Sequence, residues 1–181
     1  MQNFFVFFLK LFGWNYKLPV DIPDRSVICV APHTSNWDFI IGILFYKSII
    51  SDKPHVLMKK EWFFFPLGYL FKSLGAIPVD RKKRTSFSGQ MIDVFNSNSH
   101  FHLVIAPEGT RRKNTQWKTG FYYIALNAGV PITLAYIDYS KKEIGVKKIF
   151  YPTGDVKSDI EEIKSYYNDV RAKHPKKFAI R

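Results

Sequence analysis

Apolar runs of two lengths alternate through the middle of the chain. Short runs at Ser26–Ala31, His55–Met58, Ala76–Val79, Phe101–Ala106 and Pro131–Ile137 predict strands. Longer stretches at Asp38–Ser48, Glu61–Ser73, Ser86–Asn96, Thr119–Asn127 and Ser158–Lys173 predict helices. Asn127-Ala128-Gly129 reads as a helix stop, after which Pro131 opens a strand. Lys142–Tyr151 adds a late strand, expected to run antiparallel at an edge. Strand–helix alternation predicts an α/β single domain with a largely parallel central sheet flanked by helices. Ligands of such sheets bind beyond the carboxyl ends of the strands.

Composition fits one domain. At 181 residues and 46% hydrophobic the chain is long and apolar enough to bury a core, and no Pro/Gly/Ser-rich linker or repeat divides it. The single cysteine, Cys29, excludes a disulfide framework within the chain, and its apolar neighbours mark it as a packed small hydrophobe.

Charge and aromatic content add a surface requirement. The net charge of +12 is concentrated in Arg81-Lys82-Lys83-Arg84 and Arg111-Arg112-Lys113, a pattern suited to attracting phosphates, anionic lipid or nucleic acid. Two aromatic blocks, residues 4–14 and 62–71, are too short for the roughly 20 apolar residues that span a bilayer. Residues 4–14 lack a basic leader and a small-residue cleavage site, so they do not read as a signal peptide. With Lys10 and Lys17 nearby, residues 1–20 read as an aromatic segment at a membrane interface, ahead of the main domain at 21–181. For 62–71, core packing and interfacial insertion remain open.

Three strand ends carry candidate chemistry. The first leads into Pro32-His33-Thr34-Ser35-Asn36-Trp37-Asp38. A carboxylate on one ring nitrogen fixes the tautomer of a histidine and leaves the other nitrogen to take a proton. The spacing alone is weak, since Asp38 is equally placed to cap the helix that follows. A metal site is not indicated, because no second His or Cys stands at ligand spacing. The strand Ala76–Val79 runs into Asp80-Arg81, where a guanidinium suits bidentate phosphate binding. A further strand ends in Ala106-Pro107-Glu108-Gly109-Thr110-Arg111, a tight turn expected to array an acceptor, a hydroxyl and a cation.

In this order the three motifs, spanning roughly residues 26–137 with the loosely matching Val130-Pro131-Ile132-Thr133, resemble the glycerolipid acyltransferase family. That family includes the lysophosphatidic acid and glycerol-3-phosphate acyltransferases. Pro32 stands where the family has Asn, and Ala106 where it has Phe. The resemblance implies a glycerol-3-phosphate acyltransferase-like fold. It also implies transfer of a fatty acyl group from acyl-CoA or acyl carrier protein to the hydroxyl of a lysophospholipid. His33 would be the base and Asp38 its orienter, while Arg81, Glu108, Gly109, Thr110 and Arg111 would bind the acceptor. No metal or other cofactor is expected beyond that co-substrate. The expected partner surface is an anionic membrane, approached peripherally from the cytoplasmic face.

Other functions share some of these features. A basic, aromatic domain can hold single-stranded nucleic acid, but here the aromatics form contiguous apolar blocks apart from the basic residues, so nucleic acid is not an expected partner. The same dyad can serve a lipid or thioester hydrolase. Acyl transfer to a lyso-aminolipid of the ornithine or glycine type is a further alternative.

Overall fold

The computed structural model describes residues 2–50, 54–73, 75–79 and 84–180. In chain order these form α1 (Gln2–Leu11), β1 (Asn15–Lys17), β2 (Arg25–Ala31), α2 (Trp37–Ile49) and β3 (His55–Lys59). A single 3-10 turn (Lys60–Trp62) precedes α3 (Leu67–Ser73), β4 (Ala76–Val79), α4 (Arg84–Ser97) and β5 (Phe101–Ile105). The chain ends with α5 (Gly120–Ala128), β6 (Ile132–Asp138), β7 (Glu143–Phe150), α6 (Val156–Ser165) and a second 3-10 turn (Pro175–Lys177).

Among the described residues the sheet has seven strands in the order β1-β7-β6-β2-β5-β3-β4. The five strands from β6 to β4 are mutually parallel, β7 is antiparallel to β6, and β1 runs parallel to β7. Successive residues of a strand point to opposite faces, and both faces are covered. On one face Val27, Cys29, Ile132, Leu134 and Tyr136 pack with Phe95, Phe121, Ile163 and Tyr167 from the segments of α4, α5 and α6. On the other, Ile28, Ala135, Ile137 and Ile144 meet Ile41, Phe45 and Tyr46 of α2, with Leu9 and Trp14 from the N-terminal segment. Each such large side chain taken fully out of water contributes about 1.5–3 kcal/mol. Cys29 lies wholly inside, where burial pushes its thiol up to about 12.

Several elements depart from the sequence expectations. The late strand is antiparallel as expected, but β1 pairs outside it, so β7 is not the edge. The helix expected over Glu61–Ser73 is split into the 3-10 turn and α3, with Pro66, which has no N–H to donate, between them. The helix expected to reach Lys173 stops at Ser165. Asp155 starts it, accepting from the Ser158 amide at 3.1 Å. Beyond its end Tyr167 turns into the core, where its hydroxyl donates to the Cys29 carbonyl at 3.0 Å. No helix among the described residues is long and apolar enough to cross a membrane.

Candidate active site

Strand order places the chemistry. Because β6, β2 and β5 are parallel neighbours, the residues that follow them, Tyr139, His33 and Glu108, emerge side by side at one end of the sheet. Arg81, expected to follow β4, lies outside the described residues.

The orientation of Asp38 follows from helix periodicity. Buried positions on α2 recur at Asp38, Ile41, Phe45 and Ser48, so the stripe that seats Ile41 and Phe45 also turns the carboxylate inward. Asp38 does not cap the helix; that position belongs to Asn36, whose side chain makes no capping bond. Instead Asp38 Oδ2 accepts from the backbone amides of Thr34 and Ser35, each at 2.8 Å, and lies 3.3 Å from His33 Nδ1. Oδ1 accepts from the Tyr139 hydroxyl at 2.6 Å. Burial acts to raise the pKa of Asp38, but bonds from His33, Tyr139 and the Ser35 amide outweigh it and leave the carboxyl below its ordinary range. The anion is thus fixed, and it fixes His33 in turn. With Nδ1 engaged, Nε2 is the nitrogen left for a substrate, and the imidazole keeps 28% of its surface exposed while Asp38 keeps 2%.

The turn after β5 is tight. Gly109 takes φ +64° and its amide donates to the Ala106 carbonyl at 3.1 Å, while the Lys118 amide donates to Pro107 at 2.7 Å. A Cβ at Gly109 would meet the Lys118 side chain at 3.1 Å, so both the dihedral and the space favour glycine. Asn114 braces the turn by donating to the Glu108 carbonyl at 2.8 Å.

The array of acceptor, hydroxyl and cation expected of this turn is divided. Arg111 is exposed and Thr110 half-buried, its hydroxyl accepting from the Arg112 amide at 3.2 Å. Glu108 is turned fully inward, and its Oε1 accepts from the His33 amide at 2.6 Å. Burial pushes the Glu108 carboxyl up to about 8; the His33 amide opposes the shift and the charge of Asp38 adds to it. Glu108 therefore braces the histidine loop from beneath, rather than presenting an acceptor to solvent.

Two other contributions are not visible as motifs. Tyr139 follows an apolar strand directly, and that position was the signal available for it. The C-terminal segment closes over the same loop: the His174 amide donates to the Thr34 hydroxyl at 3.2 Å, and Lys173 Nζ stands 5.1 Å from the centre of the Trp37 ring.

The model of the Acyltransferase family matches residues 15–137, and the chain belongs to that family. It is 26% identical over 148 residues to 1-acyl-sn-glycerol-3-phosphate acyltransferase of Escherichia coli K12, covering 77% of this chain and 59% of that protein. The Haemophilus influenzae protein of the same name is 25% identical, with 90% of this chain and 75% of that one covered. The chain thus spans about three-fifths of the Escherichia coli relative. Its fold is similar to the crystal structure of the 1-acyl-sn-glycerophosphate (LPA) acyltransferase PlsC from Thermotoga maritima, with a TM-score of 0.63 and 18% identity over 93% of this chain and 74% of that one.

Proposed function

We propose that this protein transfers a fatty acyl group from acyl-CoA or acyl carrier protein to the free hydroxyl of a 1-acylglycerol-3-phosphate-like lipid. The observation that carries the reading is the pair itself, with His33 Nδ1 set 3.3 Å from a buried, fully hydrogen-bonded Asp38 at the carboxyl end of the parallel sheet. In this mechanism His33 Nε2 takes the proton of the acceptor hydroxyl while its oxygen attacks the thioester carbonyl. Asp38 stabilises the imidazolium. Collapse of the tetrahedral intermediate forms the ester and breaks the C–S bond, and the proton on His33 passes to the leaving sulfur as a thiol. Buried Cys29, with its thiol pushed up to about 12, has no part in this scheme. Arg81, Gly109, Thr110 and Arg111 receive the phosphate and glycerol of the acceptor, with Arg111 the exposed cation of the turn.

The test is product analysis with lysophosphatidate and labelled acyl-CoA. Label in phosphatidate supports transfer, whereas label in free fatty acid alone assigns a hydrolase and overturns the proposal. Arg111→Ala is expected to raise acceptor KM about 10- to 100-fold, the equivalent of one charge-assisted hydrogen bond, with kcat little changed. An unchanged KM removes Arg111 from the acceptor site.

The same reading takes the protein to an anionic membrane surface. On α1, Leu9 is buried and Phe4, Phe7 and Leu11 are more than half exposed, as is Phe12 just beyond it. Phe64, Phe65, Tyr69 and Leu70 are likewise exposed, which favours the interfacial reading of the second aromatic block over core packing. The joint change Phe4→Ser with Phe7→Ser is expected to weaken binding to anionic vesicles by at least about 10-fold, given roughly 1.5–3 kcal/mol per buried aromatic side chain. Flotation with the vesicles measures it, and undiminished flotation assigns binding elsewhere.

A further inference from the structure

We infer that Tyr139 is a positioning residue for the dyad: its hydroxyl holds Asp38 Oδ1 so that Oδ2 faces the His33 imidazole. This rests on the reading of His33 as the base. The two oxygens of Asp38 divide their partners, Oδ2 serving the His33–Ser35 loop and Oδ1 accepting from the Tyr139 hydroxyl at 2.6 Å. A buried carboxylate oxygen stripped of such a donor rotates to find another or draws in water, and either change alters the charge presented to the imidazole.

Tyr139 is itself held by two ring contacts and one backbone bond. Trp14 meets it edge-on with centroids 5.0 Å apart, and Lys173 Nζ lies 5.9 Å from its centre. The Tyr139 amide donates to the Arg171 carbonyl at 2.8 Å. Trp14 is buried directly after α1, its amide donating to Leu9 at 2.9 Å. One phenol therefore joins the N-terminal aromatic segment, the C-terminal segment and the carboxylate. Burial and the bond to Asp38 both push the phenol well above its usual range, so it stays a donor across the working pH.

The chemical consequence concerns His33. Among the described residues, His33 and Glu108 are the titratable groups that interact with Asp38 besides Tyr139, and Lys173 stands over the Tyr139 ring. The Tyr139 hydroxyl draws part of the carboxylate charge to Oδ1, and removing it leaves more of that charge on Oδ2, the oxygen that faces the imidazole.

Tyr139→Phe keeps the ring and deletes that hydroxyl. In the same transfer assay kcat is expected to fall about 10-fold, the loss of one hydrogen bond to a charged group. The acid limb of kcat/KM is expected to move up by about half to one pH unit, with acceptor KM unchanged. An unmoved limb and kcat within twofold of wild type overturn the inference, even if the melting temperature drops, because a packing role does not act on the limb. The limb is read from activity normalised at each pH to the folded fraction by circular dichroism, so a variant of lowered stability still decides the question. His33→Ala in parallel separates the two levels: an active His33→Ala defeats the base itself, whereas an inactive one beside an unaltered Tyr139→Phe defeats only the role of Tyr139.

Discussion

His33→Ala is expected to lower kcat by about 100- to 10,000-fold while leaving the fold and the acceptor KM close to wild type. The imidazole keeps 28% of its surface exposed, so its loss removes little buried area. The His33 backbone amide, which ties this loop to Glu108, is retained by alanine. Asp38→Asn is expected to lose activity by a comparable factor for a different reason. An amide in place of the carboxylate cannot accept all of the present donors, and it favours the wrong tautomer of His33. Initial rates at saturating acyl-CoA, with circular dichroism as the folding control, measure both. Full activity in His33→Ala removes the proposed mechanism.

The two members of that pair were legible in the sequence for unequal reasons. Parallel strands covered on both faces read as continuous apolar runs, so Val27–Val30 and Phe101–Ile105 announced their strands, and His33 and Glu108 stood out as the residues that follow them. Asp38 was ambiguous, because the same position is a natural helix cap. Only the burial stripe through Ile41 and Phe45 settles which way its carboxylate turns.

What stayed hidden depends on long-range pairing. Nothing near Tyr139 points to residue 38; the contact exists because β6 lies beside β2, an adjacency between strands about 100 residues apart in sequence. The inward turn of Glu108 was hidden for a similar reason, since its partner is the backbone amide of His33 on the neighbouring strand end. Element boundaries failed where tertiary packing overrode local pattern. Three residues of β1 are too few to carry a period, and α6 ends early where Tyr167 is drawn to the carbonyl of Cys29.

Glu108→Gln is expected to remove a large pH dependence from the stability of the fold. In the folded protein the Glu108 carboxyl is raised from 4.5 to about 8, chiefly by burial, so the folded state holds a proton that the unfolded chain has released. Stability from this group is therefore complete below pH 4.5, declines as pH rises, and is lost once the folded carboxyl ionises near pH 8. Across that window the wild type loses about 5 kcal/mol from this residue. Gln retains an oxygen for the His33 amide and cannot ionise, so its stability relative to wild type should rise steadily from pH 5 to 8. Urea midpoints of both proteins at half-unit pH intervals measure the difference. A constant difference means that Glu108 is already ionised at neutral pH. A negative charge would then lie buried beside Asp38 with its Oε2 bonded to no group among the described residues, an arrangement the burial of this site strongly disfavours.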